Sequence, residues 1–283
     1  GVHLGQRYVF DCLLTKAQEL RLEPLIVTFR QHPREVLQNG YVPKLLTTPE
    51  ERKRLLESYS ETLILDFRDI YMLTAEQFMV YLRERYAVVG ILMGYDHRFG
   101  SDRLCAYRDY AAAGKAAGIE IYQLPQYMPQ TASAGDGLPQ HVSSTEIRSL
   151  LQGGKASEAN ELLGYPYTLT GEVVHGNGIG RELGFPTANI RLQEGYKLVP
   201  KEGVYKAEAH IYGRWHKAVL NIGTNPTIGN PAQTIEVHIP DYQGDLYGQE
   251  IQVRVLSRLR DEQRFADKAA LTAQIQRDIA ACK

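Results

Sequence analysis

The chain has 283 residues, 43% hydrophobic and 23% charged, the proportions of a soluble globular protein with room for two domains of ordinary size. A formal net charge of −1 argues against nucleic acid or an anionic membrane as an obligatory partner, and no apolar run approaches the ~20 residues a membrane helix needs. The 3 cysteines (Cys12, Cys105, Cys282) are odd in number, far apart and without a CxxC pair, so they support neither a disulfide framework nor a zinc site and point to reduced thiols in a cytoplasmic protein.

The chain opens on Gly1-Val2-His3, a turn rather than an element and without an initiator methionine, so upstream residues including a first strand are expected. From Arg7 to Arg21, Phe10, Leu13, Leu14, Ala17 and Leu20 recur at helical spacing. Leu25 to Phe29, Thr62 to Phe67, Val88 to Met93 and Ile119 to Leu124 are short β-rich runs. Helical patterns lie between them at Pro49 to Tyr59, Thr74 to Arg85 and Ser101 to Ala117. Continuous apolar strands alternating with helices predict a parallel sheet covered on both faces, with ligands at the carboxyl ends of the strands.

The residues at those ends carry chemistry. His3-Leu4-Gly5-Gln6 lies at the start of the first helix, where orphan N–H groups and the helix dipole favour a phosphate. Thr28 to Arg34, with His32, follows the second run, and Gly94 to Gly100 puts Asp96, His97, Arg98 and Phe99 in one loop. Ser143-Ser144-Thr145-Glu146-Ile147-Arg148 opens a further helix. Each has a plainer account: surface histidines at His3 and His32, a weak ion pair between Asp96 and Arg98, a capping box at Ser143 and Glu146. Their common placement at strand ends and helix starts favours a nucleotide site.

These motifs resemble those of the nucleotidylyltransferase superfamily, and the loop at Asp96 narrows the resemblance to the FMN adenylyltransferase module of bacterial bifunctional riboflavin kinase/FAD synthetases. The resemblance implies an α/β Rossmann-like domain over residues 1–163 in which His3, Gly5 and Gln6 meet ATP phosphates. It implies that Ser143, Ser144, Thr145 and Arg148 bind the phosphate chain, and that His32, Asp96, Arg98 and Phe99 shape the flavin side. Gln6 stands where the family has a second histidine, His97 where it has phenylalanine, and Gln31 where it has proline.

Ser144 to Gln152 and Lys155 to Leu163 read as short helices, with Gly164 as a C-cap. After Pro166 the pattern turns to β: Thr170 to Val174, Gly203 to Tyr212, Trp215 to Ile222, Thr234 to Ile239 and Ile251 to Ser257. Alternation puts Ile235, Val237 and Ile239 on one face and Glu236 and His238 on the other. Successive strands of this kind predict a small antiparallel barrel, closed by a C-terminal helix with Asp267 as N-cap and a core stripe of Leu271, Ile275 and Ile279.

Gly171 to Asn189 reads GEVVHGNGIGRELGFPTAN. Gly176, Gly178 and Gly180, followed by Arg181, let backbone N–H groups approach an anion, and Pro186 blocks the helix a dinucleotide fingerprint needs. The stretch is read as a strand, a phosphate-facing loop and an ordered Pro-Thr-Ala-Asn turn; alone, it would more plainly be a surface hairpin, and Glu236 alone a solvated carboxylate. With Asn221 to Pro226, Asp245 to Gly248 and Leu259 to Phe265, however, residues 164–283 resemble riboflavin kinase. That resemblance implies Thr187 and Asn189 at the Mg²⁺·ATP phosphates, Glu236 as the base, Tyr247 on the ATP side, and Arg260, Glu262 and Phe265 lining the flavin pocket. Thr187 and Asn189 offer the hard oxygens Mg²⁺ prefers.

The expected activity is phosphorylation of riboflavin to FMN and adenylyl transfer to FMN giving FAD, with Mg²⁺ as cofactor and ATP, riboflavin and FMN as substrates. Alternative readings are a riboflavin kinase with an impaired first domain, motivated by Gln6 and the missing lead-in, or a non-catalytic flavin- or nucleotide-binding protein, against which Glu236, Thr187 and Asn189 speak.

Overall fold

The computed structural model describes residues 1–127, 142–176, 178–192, 196–225 and 232–282. The chain divides into two compact units: Gly1–Pro43 with Thr47–Val142, and Lys44–Leu46 with Ser143–Lys283.

The first unit alternates strand and helix. Helix α1 (Leu4–Leu20) starts earlier than its apolar periodicity suggests, because His3 caps it: Gln6 N donates to His3 Nδ1 (3.3 Å) and His3 N donates to Gln6 Oε1 (3.4 Å). Strand β1 (Leu25–Phe29) leads to the short α2 (Pro33–Leu37), then α3 (Pro49–Glu57), β2 (Glu61–Leu65), α4 (Phe67–Ile70), α5 (Ala75–Tyr86), β3 (Gly90–Met93), α6 (Tyr107–Ala117) and β4 (Glu120–Gln123). The strands are parallel as expected, but among the described residues they form two separate pairs, β1 with β2 and β3 with β4. Helix α6 begins six residues later than the pattern from Ser101 suggests. Arg103 takes a left-handed φ of 53°, and Asp102 Oδ1 accepts from Ala75 N (3.0 Å) while Ser101 N donates to Leu73 O (2.8 Å). Those bonds tie this segment to the start of α5 instead. Buried Met79, Met93, Tyr110 and Ile121 form one apolar cluster of this unit, and Leu65, Ile70, Phe78 and Leu82 another. Each such side chain contributes roughly 1.5–3 kcal/mol on full burial.

The second unit opens with α7 (Ser144–Gln152) and α8 (Ala156–Leu163), which ends on Gly164 in the left-handed region. Asn160 Nδ2 donates to Val255 O (2.8 Å) and Leu256 O (3.1 Å), tying α8 to the sheet beyond it. Strands β5 (Tyr167–Val174), β6 (Thr187–Leu192), β7 (Gly203–Ile211), β8 (Arg214–Asn225), β9 (Ala232–His238) and β10 (Glu250–Arg260) close into an antiparallel barrel in the order β10-β5-β6-β9-β8-β7. A short helix α9 (Ile179–Glu182) sits in the glycine loop, and α10 (Lys268–Ala281) ends the chain. Closure removes sheet edges and fills the interior with Leu169, Ala209, Leu220, Ile222, Val237, Val253 and Val255.

Local expectations fail here in informative ways. Thr187, Ala188 and Asn189 are not a turn; they pair with β9 as the start of β6, because the ladder overrides their weak local preference. His238, placed by alternation on the polar face, is buried (8% exposed) because Phe185 and Pro186 cover it. In α10, Asp267 caps as expected, Ala270 N donating to its Oδ1 at 2.8 Å. Its apolar stripe is only partly buried, whereas Asp278 is buried beneath Arg260.

Candidate active site

The barrel gathers one set of site residues on the ladder β6-β9-β8. Asn189 stands opposite Glu236, and Glu236 opposite Asn221, so three polar side chains share a row on one face. The adjoining row holds Thr187, His238 and Val219. Thr187 Oγ1 donates to Glu236 Oε2 at 3.2 Å, and Asn221 Nδ2 donates to Glu262 Oε1 at 3.4 Å. Glu262 thus joins the row from the segment after β10.

The glycine loop closes on this row from the β5 side. Gly176 lies so near Asn189 that a Cβ there would overlap the carboxamide. Gly178 has φ 73°, a conformation other residues rarely adopt. Phe185 N donates to Gly180 O (2.8 Å), folding the loop back toward Thr187. Arg181 Nη2 donates to Tyr247 Oη (3.3 Å), and Tyr247 stacks on His175 with ring centroids 3.9 Å apart. Residues 245–249 are stitched to β5 by Gly248 N to Val173 O and Val173 N to Gln249 O, both 2.9 Å. Glu182 meets Lys268 at 3.5 Å.

The expected flavin-side residues divide. Arg260 is committed to Asp278: Nε donates to both carboxylate oxygens (3.1 Å each), Nη2 to Oδ2 (2.7 Å), and Nη1 to Asp261 O (3.0 Å). Phe265 lies under the Arg260 guanidinium at 5.8 Å. Arg258 holds the carboxyl of Asp261 below its usual range by hydrogen bond and charge (Nη2 to Oδ1, 2.7 Å). The segment after β10 is therefore pinned by arginines before any ligand enters.

In the first unit the expected residues are mostly engaged locally. His3 and Gln6 cap α1 reciprocally, beside Gly5. His32 caps α2, its Nδ1 accepting from Arg34 N at 3.2 Å, with His32 N donating to Glu35 Oε2 at 2.7 Å. Gln31 bridges the ends of β1 and β2: its Nε2 donates to Asp66 Oδ2 (2.9 Å), lowering the Asp66 pKa, and its Oε1 accepts from Phe67 N (3.3 Å). After β3, Asp96, His97 and Arg98 line a cavity of about 270 Å³ with Tyr95, Tyr107 and Gln123. Phe99 does not line it. Its ring packs on Phe78 and Tyr110, and its N and O both bond the Tyr110 hydroxyl at 3.0 Å. In the second unit, Ser143 caps α7, its Oγ accepting from Glu146 N (3.1 Å), with Ser144 and Thr145 in the first turn. Arg148 Nε donates to Lys44 O (2.8 Å).

Comparison with known proteins decides the family. A family model described as FAD synthetase matches residues 1–135, and one described as riboflavin kinase matches residues 163–283. The bifunctional riboflavin kinase/FMN adenylyltransferase of Escherichia coli K12 is 35% identical over 285 residues, covering 98% of this chain and 87% of that protein. The chain belongs to this bifunctional family. Its relative of the same description in Bacillus subtilis is 33% identical, with the same coverage of 98% and 87%. The one in Haemophilus influenzae is 32% identical over 100% of this chain and 90% of its own. A solved Streptococcus pneumoniae structure described as a macrolide-efflux protein superposes with a TM-score of 0.87 at 30% identity, covering 99% of this chain and 90% of its own. No helix among the described residues of this family member is long and apolar enough to cross a membrane.

Sequence reasoning named Asn221 only as part of a run and took His238 no further than the polar face of its strand, giving neither a site role. Asn221 was visible as part of the run before Pro226, which itself lies outside the described residues, but only the β8-β9 register sets it beside Glu236. Among the described residues no group of His, Cys, Asp and Glu could hold a metal alone. The Thr187 hydroxyl and the Asn189 carboxamide, set in the cradle that a Cβ at Gly176 would fill, fit a Mg²⁺ ion held largely by substrate phosphates.

Proposed function

We infer that this chain phosphorylates riboflavin to FMN in the barrel and adenylylates FMN to FAD through its first domain, with ATP as donor in both steps. The reading is carried by the Asn189–Glu236–Asn221 row, with the Thr187 hydroxyl on Glu236 and the glycine loop against Asn189. The functional division proposed is 1–163 and 164–283, which the separate family matches support.

In the kinase step the ribityl 5′-hydroxyl oxygen attacks the γ-phosphorus, ADP leaves, and Glu236 takes the hydroxyl proton. Thr187, donating to Oε2, holds the carboxylate in place, so Oε1 is the oxygen assigned to the substrate. The loop from Gly176 to Gly180 offers backbone donors to the phosphates, and Arg181, steadied by Tyr247, offers positive charge. Mg²⁺, held by Thr187 and Asn189, would offset charge on the phosphates. Glu262 and Phe265 face the flavin, with Arg260 fixing their segment through Asp278.

In the adenylyl step an FMN phosphate oxygen attacks the α-phosphorus and pyrophosphate leaves. The nucleophile is already an anion, so positioning and charge stabilisation suffice. His3, Gly5, Gln6, Ser143, Ser144, Thr145 and Arg148 are assigned to ATP, and His32, Asp96 and Arg98 to the flavin, with Phe99 supporting the loop from behind. Small molecules are the partners, and the free thiols suit a cytoplasmic setting.

The test is Glu236→Gln. Riboflavin phosphorylation should fall by about 10²–10⁴, the range for losing a general base, while ATP binding and FAD formation from FMN persist. Near-normal FMN production by this variant would remove Glu236 from the mechanism.

A further inference from the structure

His238 takes no part in the phosphoryl transfer described above, yet it is the buried imidazole nearest to that chemistry in sequence and register. It is two residues beyond Glu236 on β9 and pairs directly with Thr187 on β6. Only 8% of it is exposed. Its Nδ1 lies 2.8 Å from the carbonyl oxygen of Pro186, and its ring meets Phe185 edge-on, centroids 5.7 Å apart at 81°. A carbonyl only accepts, so Nδ1 carries the hydrogen and donates, which fixes the tautomer.

The contact sits at the junction where the phosphate loop becomes a strand. Phe185 N is bonded to Gly180 O, Pro186 lacks an N–H, and the next residue, Thr187, holds Glu236. The backbone of Pro186 therefore offers only its carbonyl to fix the junction, and His238 binds it. On the other side of β9, Val219 faces His238 and packs with Val204 and Cys282, so the imidazole is backed by apolar core.

We propose that His238 is a positioning residue for the kinase reaction: its Nδ1–H clamps the Pro186 carbonyl and thereby sets Thr187 and Asn189 in register with Glu236 for the metal-bound nucleotide. The proposal rests on the kinase reading of the barrel. It makes a specific division of labour: His238 governs how well Mg²⁺·ATP is placed, and hardly touches riboflavin.

The test uses the full chain with His238→Leu, which keeps the bulk and removes the donor, and His238→Asn, whose Nδ2–H can replace Nδ1–H. In His238→Leu, kcat/KM for Mg²⁺·ATP in riboflavin phosphorylation should drop roughly tenfold or more, the scale of a small misplacement of reacting groups. The KM for riboflavin should stay within about twofold of the parent value. His238→Asn should recover most of the loss. FAD formation from added FMN, measured on the same preparations, should be unchanged. Unaltered ATP kinetics in His238→Leu would overturn the proposal, as would His238→Asn being equally impaired, or an equal fall in FAD formation, which would mark a collapse of the fold. Failure of the kinase reading itself shows separately, as FMN production that survives Glu236→Gln.

Discussion

The two halves of this chain present their candidate residues in opposite ways. In the barrel, Thr187 and Glu236 are 49 positions apart yet 3.2 Å apart in space, and Asn221 and Glu262 are 41 positions apart at 3.4 Å. In the first domain, His3 and Gln6 bond across 3 positions and His32 and Arg34 across 2, each pair capping the helix it begins. A β-ladder fixes distant residues relative to one another and so presents a preassembled row. A capping box satisfies a helix start and leaves its N–H groups arranged for an anion. The kinase half thus resembles a finished catalytic constellation, whereas the adenylyltransferase half offers donors and charges to a substrate that is already nucleophilic.

That contrast can be broken from either side. Removing the buried partner of Arg260 with Asp278→Ala should cost about 3 kcal/mol, since an uncompensated charge remains beneath α10. Thermal melting would show it as a fall in Tm of roughly 10 °C, and an unchanged Tm would mean that the pair is not structural. Gly176→Ala pushes the Asn189 carboxamide out of the row, so riboflavin phosphorylation should fall roughly 10²-fold while FMN adenylylation is spared. Arg98→Ala should do the reverse, raising the KM for FMN about tenfold, the worth of one charged hydrogen bond, without changing FMN production. The smallest effect is chemical. The exposed Cys105 should alkylate first, and Cys282, whose thiol pKa burial raises, last, as peptide mapping would show.

The chain's local signals are legible where they are strong. Leu25–Phe29 is a β-branched and aromatic run and forms β1 with those bounds. Ser143 caps α7, and Gly164 ends α8, as their residue types demand. The barrel and the polar strand face that carries Glu236 could be read from alternation together with family resemblance, but the row that Glu236 forms with Asn189 and Asn221 could not. What could not be read depends on pairing across long separations. Pro186-Thr187-Ala188-Asn189 contains turn-forming residues, and only the β6-β9 ladder makes a strand of the last three. His238 alternates onto a polar face, and the loop that buries it comes from 52 positions upstream. The partner of Arg260 could not be read either, because only the return of α10 brings Asp278 against it.

The central claim is that one chain carries both activities in separate sets of residues. It is tested most directly by giving the full-length protein riboflavin with Mg²⁺·ATP, and separately FMN with Mg²⁺·ATP, and resolving the flavin products over time. FMN should appear first and then FAD from riboflavin, and FAD with pyrophosphate directly from FMN. FMN accumulating with no FAD from either substrate would contradict the adenylyltransferase half, and FAD formed from FMN but never from riboflavin would contradict the barrel site.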